Sequence, residues 1–174
     1  MTGLMEAAFY VAAVVAIVST MLAITRLVAV HALLYLIVSL LAVAVVFYTM
    51  GAPLVAALEV IVYAGAIVVL FVFVVMMLNL GTQARDRERQ WLSGKIWIGP
   101  ATLSAVLLAE VIYLIVRAGV VGSIGGVVGP KQVAIALYGP YLIGVELVSM
   151  LLLGALVGAS HLGRSAPKKM EVRR

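Results

Sequence analysis

Three acids fall within apolar stretches of this chain: Glu59, Glu110 and Glu146. A charged side chain at the centre of a bilayer costs about 3 kcal/mol on insertion scales, so an acid placed there is a functional candidate by default. Low dielectric disfavours the ionised form of a carboxyl group, which is the property a proton relay uses. Glu59 stands in the richest setting, LVAALEVIVYAGAIVVLFVFVVMMLNL, residues 54–80. Tyr63 follows four residues later, on the same face of a helix. Its phenol can both donate and accept, and so could link a carboxyl group to water. The small residues Ala64, Gly65 and Ala66 come next, where a membrane helix can bend or pack closely. Acid, phenol and small patch together suggest a helix that handles protons, or changes shape, within a membrane. Each acid also has a plainer reading, as a neutral group hydrogen-bonded to a neighbouring helix. Glu146, in YLIGVELVSM, is the second candidate. Glu110 is the weakest, because it lies nearer a span end and can reach toward the interface.

Other chemistries lack their residues. The chain contains no cysteine, so thiolate metal sites, thiolate-held iron–sulfur clusters, disulfides and cysteine nucleophiles are excluded. No Ser–His–Asp set, zinc motif or nucleotide fingerprint is present. His31 and His161 are two histidines near span ends, better read as interfacial polar groups than as a haem pair. Residues 119–130, GVVGSIGGVVGP, read as a flexible loop; no strand precedes them to make a phosphate loop. The net charge of +5 is gathered in one loop and the tail, with no aromatic-interleaved stripe for nucleic acid.

The elements that must position these residues are membrane helices. Of the 174 residues, 66% are hydrophobic and 11% charged, against about 45–50% and about 25% in soluble domains. Five apolar segments reach spanning length, at 5–25, 30–50, 54–80, 96–116 and 138–160. Helix satisfies every backbone polar group within each segment, and period-2 alternation is absent. Pro53 suits the first turn of the third span, and Gly81 a helix stop. At 1.5 Å per residue the 27 residues of that span would reach roughly 40 Å, against about 30 Å of hydrocarbon. Tilt, a kink or a winding defect must absorb the excess. Residues 131–138 suggest a short amphipathic helix, broken from the fifth span by Gly139-Pro140. No lysine or arginine precedes Arg26, so the first span reads as retained, with the N-terminus outside. That orientation puts 10 basic residues inside, from Arg26 to Arg174, and only Arg117 and Lys131 outside. Trp91 and Trp97 then mark the inner interface. Glu59 would lie about 8 Å below the outer start of its span. The expected organisation is one five-helix membrane domain, 1–164, followed by a short basic cytoplasmic tail, 165–174.

Four blocks carry a family resemblance: VHALLYLIVSLLAVAVVF at 30–47, ALEVIVYAGAIVVLFVFVVMMLNLG at 57–81, ERQWLSGKIWIGPA at 88–101, and LYGPYLIGVELVSMLLLGALV at 137–157. The chain resembles the subunit J family of bacterial NADH:quinone oxidoreductase, respiratory complex I, the counterpart of mitochondrial NADH dehydrogenase subunit 6. The second block is long and the most specific. The resemblance implies a five-helix subunit of a proton-translocating enzyme in the bacterial inner membrane. It would hold no redox cofactor; flavin mononucleotide, iron–sulfur clusters, NADH and quinone belong to other subunits. Its implied partners are membrane lipid and the membrane subunits A, K, H and N and their neighbours, with no nucleic acid. The family's third helix carries a π-bulge at the segment matching Tyr63, Ala64, Gly65 and Ala66. That bulge is thought to form and relax, gating a water path toward the hydrophilic axis of the membrane arm. The family's membrane acids map onto Glu59 and Glu146, whereas Glu110 stands where an apolar residue is usual. On residues alone close packing is the favoured role of Gly65, and the resemblance shifts the preference to a hinge.

Two other classes stay open at this point: a subunit of a related cation/proton antiporter or hydrogenase assembly, and a passive scaffold. The orientation is directly testable because the chain is free of cysteine. A membrane-impermeant maleimide applied to intact cells should label Ser123→Cys and leave Ser93→Cys unlabelled; the reverse pattern would invert the topology.

Overall fold

The structure, a computed structural model, describes residues 2–27, 29–78, 97–118 and 127–163. Gly81 as a helix stop, the basic loop 85–95 with Trp91, most of the glycine-rich loop and the tail 165–174 lie outside the described residues. The described residues are helical throughout, and five stretches are long and apolar enough to cross a membrane. They fall into two compact units, Met1–Gly129 and Pro130–Arg174.

The first unit holds α1 (Thr2–Thr25), α2 (Ala29–Thr49), a third span in three continuous pieces, and α5 (Ile98–Ala118). The pieces of the third span are α3 (Pro53–Leu58), a π-helical segment Glu59–Ile67, and α4 (Val68–Leu78). Pro53 stands in the first turn of α3, where its missing N–H costs nothing. Between α2 and α3 the chain reverses at Gly51, whose φ of 81° is a left-handed conformation that favours glycine. The Gly51 carbonyl accepts the Val128 N–H at 2.9 Å. Hydroxyls serve the helix ends: Thr25 donates to the Met21 carbonyl at 2.9 Å, and Thr49 to the Val46 carbonyl at 2.8 Å.

The core of this unit lies where α1, α2 and α5 meet. Ala8, Ala12 and Val15 on α1 repeat at a spacing that keeps one face turned inward, as do Val38, Ala42 and Val45 on α2. Leu107 and Leu114 complete the cluster from α5. Ala12 and Ala42 are fully buried, and residues this small let two backbones approach closely in a membrane. The α1–α2 seam also carries polar links. The Thr20 and Ser39 hydroxyls are 2.7 Å apart, so that one donates to the other, and both lie within reach of the Ala16 carbonyl, at 2.8 and 3.2 Å. At the end of the unit near Arg26, the guanidinium carbon lies 5.2 Å from the centroid of the Tyr35 ring, a cation–π contact. The third span lies along α2.

The second unit comprises α6 (Pro130–Tyr138) and α7 (Leu142–Gly163). The short helix expected before the fifth span is there, and the span itself begins at Leu142 rather than at 138. Gly139 and Pro140 form the turn between the two helices, and a Cβ on Gly139 would meet the Ile135 carbonyl oxygen at 2.7 Å. Pro140 cannot continue the preceding helix. Within this unit the side chains of α7 are almost all exposed, a helix whose packing partners are not its own short neighbour.

Gly99 has a specific steric role. A Cβ there would overlap the Tyr35 hydroxyl, and Tyr35 is only 3% exposed. Gly99→Ala should therefore cost about 1–3 kcal/mol through overpacking, and adding Tyr35→Phe should recover most of the loss. Thermal unfolding of the detergent-extracted protein measures both variants.

Candidate functional site

Polar chemistry and unusual backbone geometry coincide in the third span. The π segment is nine residues long and begins at Glu59. At its far end the Val68 N–H donates to the Tyr63 carbonyl, five residues back, as well as to the Gly65 carbonyl. Five-residue hydrogen bonding is the mark of π winding, which admits an extra residue to a turn without breaking the helix. The flanking residues keep ordinary right-handed geometry: Leu58 has φ −65° and ψ −37°, and Val68 has φ −68° and ψ −37°. The span thus takes up part of its excess length by local under-winding, more residues to each turn.

Gly65 lies inside this winding. A Cβ on it would meet the Val60 carbonyl oxygen, also five residues back, at 3.1 Å. A side chain at 65 would therefore press on the backbone that defines the segment.

Burial alternates along the span in a telling way. Ala56, just before the segment, is buried, and Val68, just after it, is 1% exposed. None of the nine residues between is buried. The segment is pinned at both ends and uncovered in the middle. Glu59, Ala64 and Gly65 are half-buried, whereas Tyr63 and Ala66 are exposed. Neither the Glu59 carboxyl nor the Tyr63 phenol has a hydrogen-bond partner among the described residues. The wider winding turns Tyr63 away from the register it would keep four residues after Glu59 in an α-helix.

Beside the segment lies an apolar cleft of about 730 Å³, lined by α2, α3, α5 and the first residues of the π segment, including Leu41, Ala44, Ala57, Val60 and Leu108. Tyr48 and Ser104 supply its few polar atoms. Glu59 is not part of this lining.

The structure brings Glu59, Tyr63, Ala64, Gly65 and Ala66 onto one continuous segment. Glu146 belongs to the second unit and is exposed on the second turn of α7. His31 is buried in the first unit, and His161 is exposed near the end of α7 in the second. Glu110, read from the sequence as able to reach toward an interface, is half-buried on α5 of the first unit. Both of its carboxyl oxygens are buried and make no hydrogen bond. Leu107 and Leu114, one turn to either side on the same face, pack into the core of the first unit. The sequence held a signal for this in the spacing Leu103, Leu107, Glu110, Leu114, which places the acid on a core-facing stripe. The Thr20–Ser39 link had a weaker signal, as two hydroxyl residues in separate spans. The extension of π winding over nine residues had none beyond the length of the span.

Comparison with known proteins supplies the context for this segment. Residues 19–162 match the family described as NADH-ubiquinone/plastoquinone oxidoreductase chain 6. The chain is similar to NADH-quinone oxidoreductase subunit J of Pseudomonas aeruginosa, 57% identical over 166 residues, covering 95% of this chain and 100% of that one. It is 55% identical to the subunit J of Escherichia coli over 160 residues, 92% of this chain and 87% of the relative. The subunit J of Buchnera aphidicola subsp. Schizaphis graminum is 46% identical over 160 residues, 92% and 98% of the two chains. A five-span helical chain with matches of this length and identity belongs to the NADH-ubiquinone/plastoquinone oxidoreductase chain 6 family.

Proposed function

We propose that this chain is a multi-pass inner-membrane subunit of a proton-translocating NADH:quinone oxidoreductase, and that its third span gates a proton and water path. Family membership supports the first part. The observation that carries the second is the π segment that opens on Glu59 and is pinned only at its ends. The partners would be the other membrane subunits of the enzyme, among them A, K, H and N. The largely uncovered α7 and third span offer the surfaces such partners need.

The redox groups would lie in other subunits. This chain has no thiolate for an iron–sulfur cluster, and among its described residues no three of His, Asp or Glu gather into a metal site. Its own part is positional. Quinone chemistry in a neighbouring subunit would bias two windings of the third span, as any input must that favours one state of a pre-existing pair. Each residue of an α-helix turns the chain by about 100°. Rewinding one π turn as α would therefore rotate α4 by roughly that angle against α3. Phe71, Phe73 and Met76, all exposed on α4, would exchange places with other side chains at the path. Glu59 and Tyr63 would border the water that enters in one state. Gly65 would permit the change, because no side chain there opposes movement of the Val60 carbonyl. Glu146 would be a further proton-path acid, on α7 of the second unit.

Two substitutions test the mechanism, read as protons pumped per electron pair in membrane vesicles, with NADH oxidation as the control for assembly. Gly65→Val adds a β-branched side chain against the Val60 carbonyl at a cost of about 1–3 kcal/mol, and should lower the ratio while the complex still assembles. An unchanged ratio in an assembled complex defeats the gating role. Glu59→Gln keeps size and polarity but cannot exchange a proton, and should slow coupled pumping about tenfold or more. If pumping is unaffected, Glu59 is an inert packing group and the subunit is a scaffold at this position. Complex membership is checked separately: NADH:quinone reductase activity and flavin absorbance should follow a tagged copy of the chain through purification.

A further inference from the structure

The apolar cleft beside the third span occupies one half of the helical bundle. Its wall on α2 runs from Tyr48 back to Leu41, on the third span from Pro53 to Val60, and on α5 from Ile115 back to Ser104. At 1.5 Å per residue these walls are about 10, 10 and 16 Å long. One leaflet of hydrocarbon is about 15 Å deep, half of the whole core. The mouth of the cleft is at the Gly51 end, where Tyr48 stands one residue from the end of α2 and Pro53 opens α3.

The other half is closed. There the Tyr35 hydroxyl fills the space over Gly99 and joins α2 to α5. That contact lies six residues before Leu41 on α2 and five before Ser104 on α5. Both walls of the cleft therefore end at the same level, near the middle of the bundle. A spanning helix of a partner needs a groove along the full hydrocarbon core, about 30 Å or about 20 residues. The cleft gives half of that. Its depth suits a chain that enters from one leaflet and stops at the midplane.

Its chemistry suits an aliphatic chain. The floor is made by the buried Ala44, Ala56 and Leu107, whereas Ala57, Val60 and Leu108 on the rim are exposed. The cleft is thus open on the side that faces a bilayer, and it separates α3 from α5, both of which pack on α2. Its volume of about 730 Å³ falls within the range of small-molecule sites, about 300–1,000 Å³. An apolar space stays dry and takes up apolar molecules, because lining groups without neighbours forfeit their dispersion contacts. Tyr48 has an apolar ring and a polar tip, the combination that favours the level of lipid headgroups.

We propose that this cleft binds an acyl chain of one phospholipid from the leaflet at the Gly51 end, with the lipid's ester and phosphate groups at Tyr48 and the chain end between Leu41 and Ser104. The chain fills the gap between α3 and α5 and packs against Val60. The site stands whether or not the third span rewinds.

The test uses the assembled complex in its own membranes. The probe is a phosphatidylethanolamine with a diazirine in one acyl chain, placed either beside the ester or near the chain end. On illumination the diazirine loses N₂ and the carbene inserts into the nearest side chain. Peptide mapping should find the ester-side adduct on Tyr48 or Ile115 and the chain-end adduct on Leu41 or Ser104. Leu108→Trp narrows the cleft from its rim and should lower both adducts about tenfold, with labelling elsewhere on the complex unchanged. No adduct on cleft residues would show that protein covers them, and the reverse order of depths would place the lipid in the other leaflet; either overturns the proposal. Adducts as strong in Leu108→Trp as in the unaltered complex would come from bulk lipid and also overturn it. If Leu108→Trp does not assemble, the unaltered complex still decides. Cleft labelling should saturate as the probe's share of total lipid rises, and labelling in simple proportion to that share defeats the site.

Discussion

In hydrocarbon no water is present to complete a hydrogen bond, so each backbone N–H and C=O must find its partner within the protein. That demand explains the all-helical architecture and shapes the irregular parts as well. Where a soluble helix of excessive length could simply break, the third span under-winds. The nine-residue π segment from Glu59 to Ile67 exchanges four-residue bonds for five-residue bonds without interrupting the helix. The one reversal with a left-handed residue among the described residues, at Gly51, returns its carbonyl to the Val128 N–H. Threonine hydroxyls near the ends of α1 and α2 supplement the last carbonyls.

The first unit divides between a packed part and an exposed one. The seam of α1, α2 and α5 is built from alanine, valine and leucine at helical spacing, joined by the Thr20–Ser39 link. Without a hydrophobic driving force between helices in lipid, close approach and a few hydroxyl contacts must hold them, each contact worth about 1 kcal/mol. The third span lies along α2, and only Ala56 and Val68 of its residues Pro53–Met77 are buried. Neither belongs to the cluster that forms the seam.

Polar groups follow the same division. Glu59 and Tyr63 lie on the third span, outside the packed seam. Ser19, Ser39 and Tyr35 are buried within the first unit.

Hydrophobic segments of about 20 residues are legible as spans because the bilayer thickness and the helix rise are both constant. The third span announced its irregularity by length alone, since 27 apolar residues exceed what a straight crossing needs. The acid–phenol–glycine grouping at Glu59, Tyr63 and Gly65 was visible because all three are neighbours in sequence. Other features depend on contacts between distant segments and no local pattern encodes them. The Tyr35 ring against Gly99 joins residues 64 positions apart, and the Ser39–Thr20 bond joins two spans. The burial of the Glu110 carboxyl oxygens depends on neighbours beyond its own helix turn. Sequence determined how often the chain crosses and where its winding must yield, because those follow from local length and hydrophobicity. Only the tertiary structure decided which polar groups are shut away from water, because burial is a property of the neighbours that packing brings together.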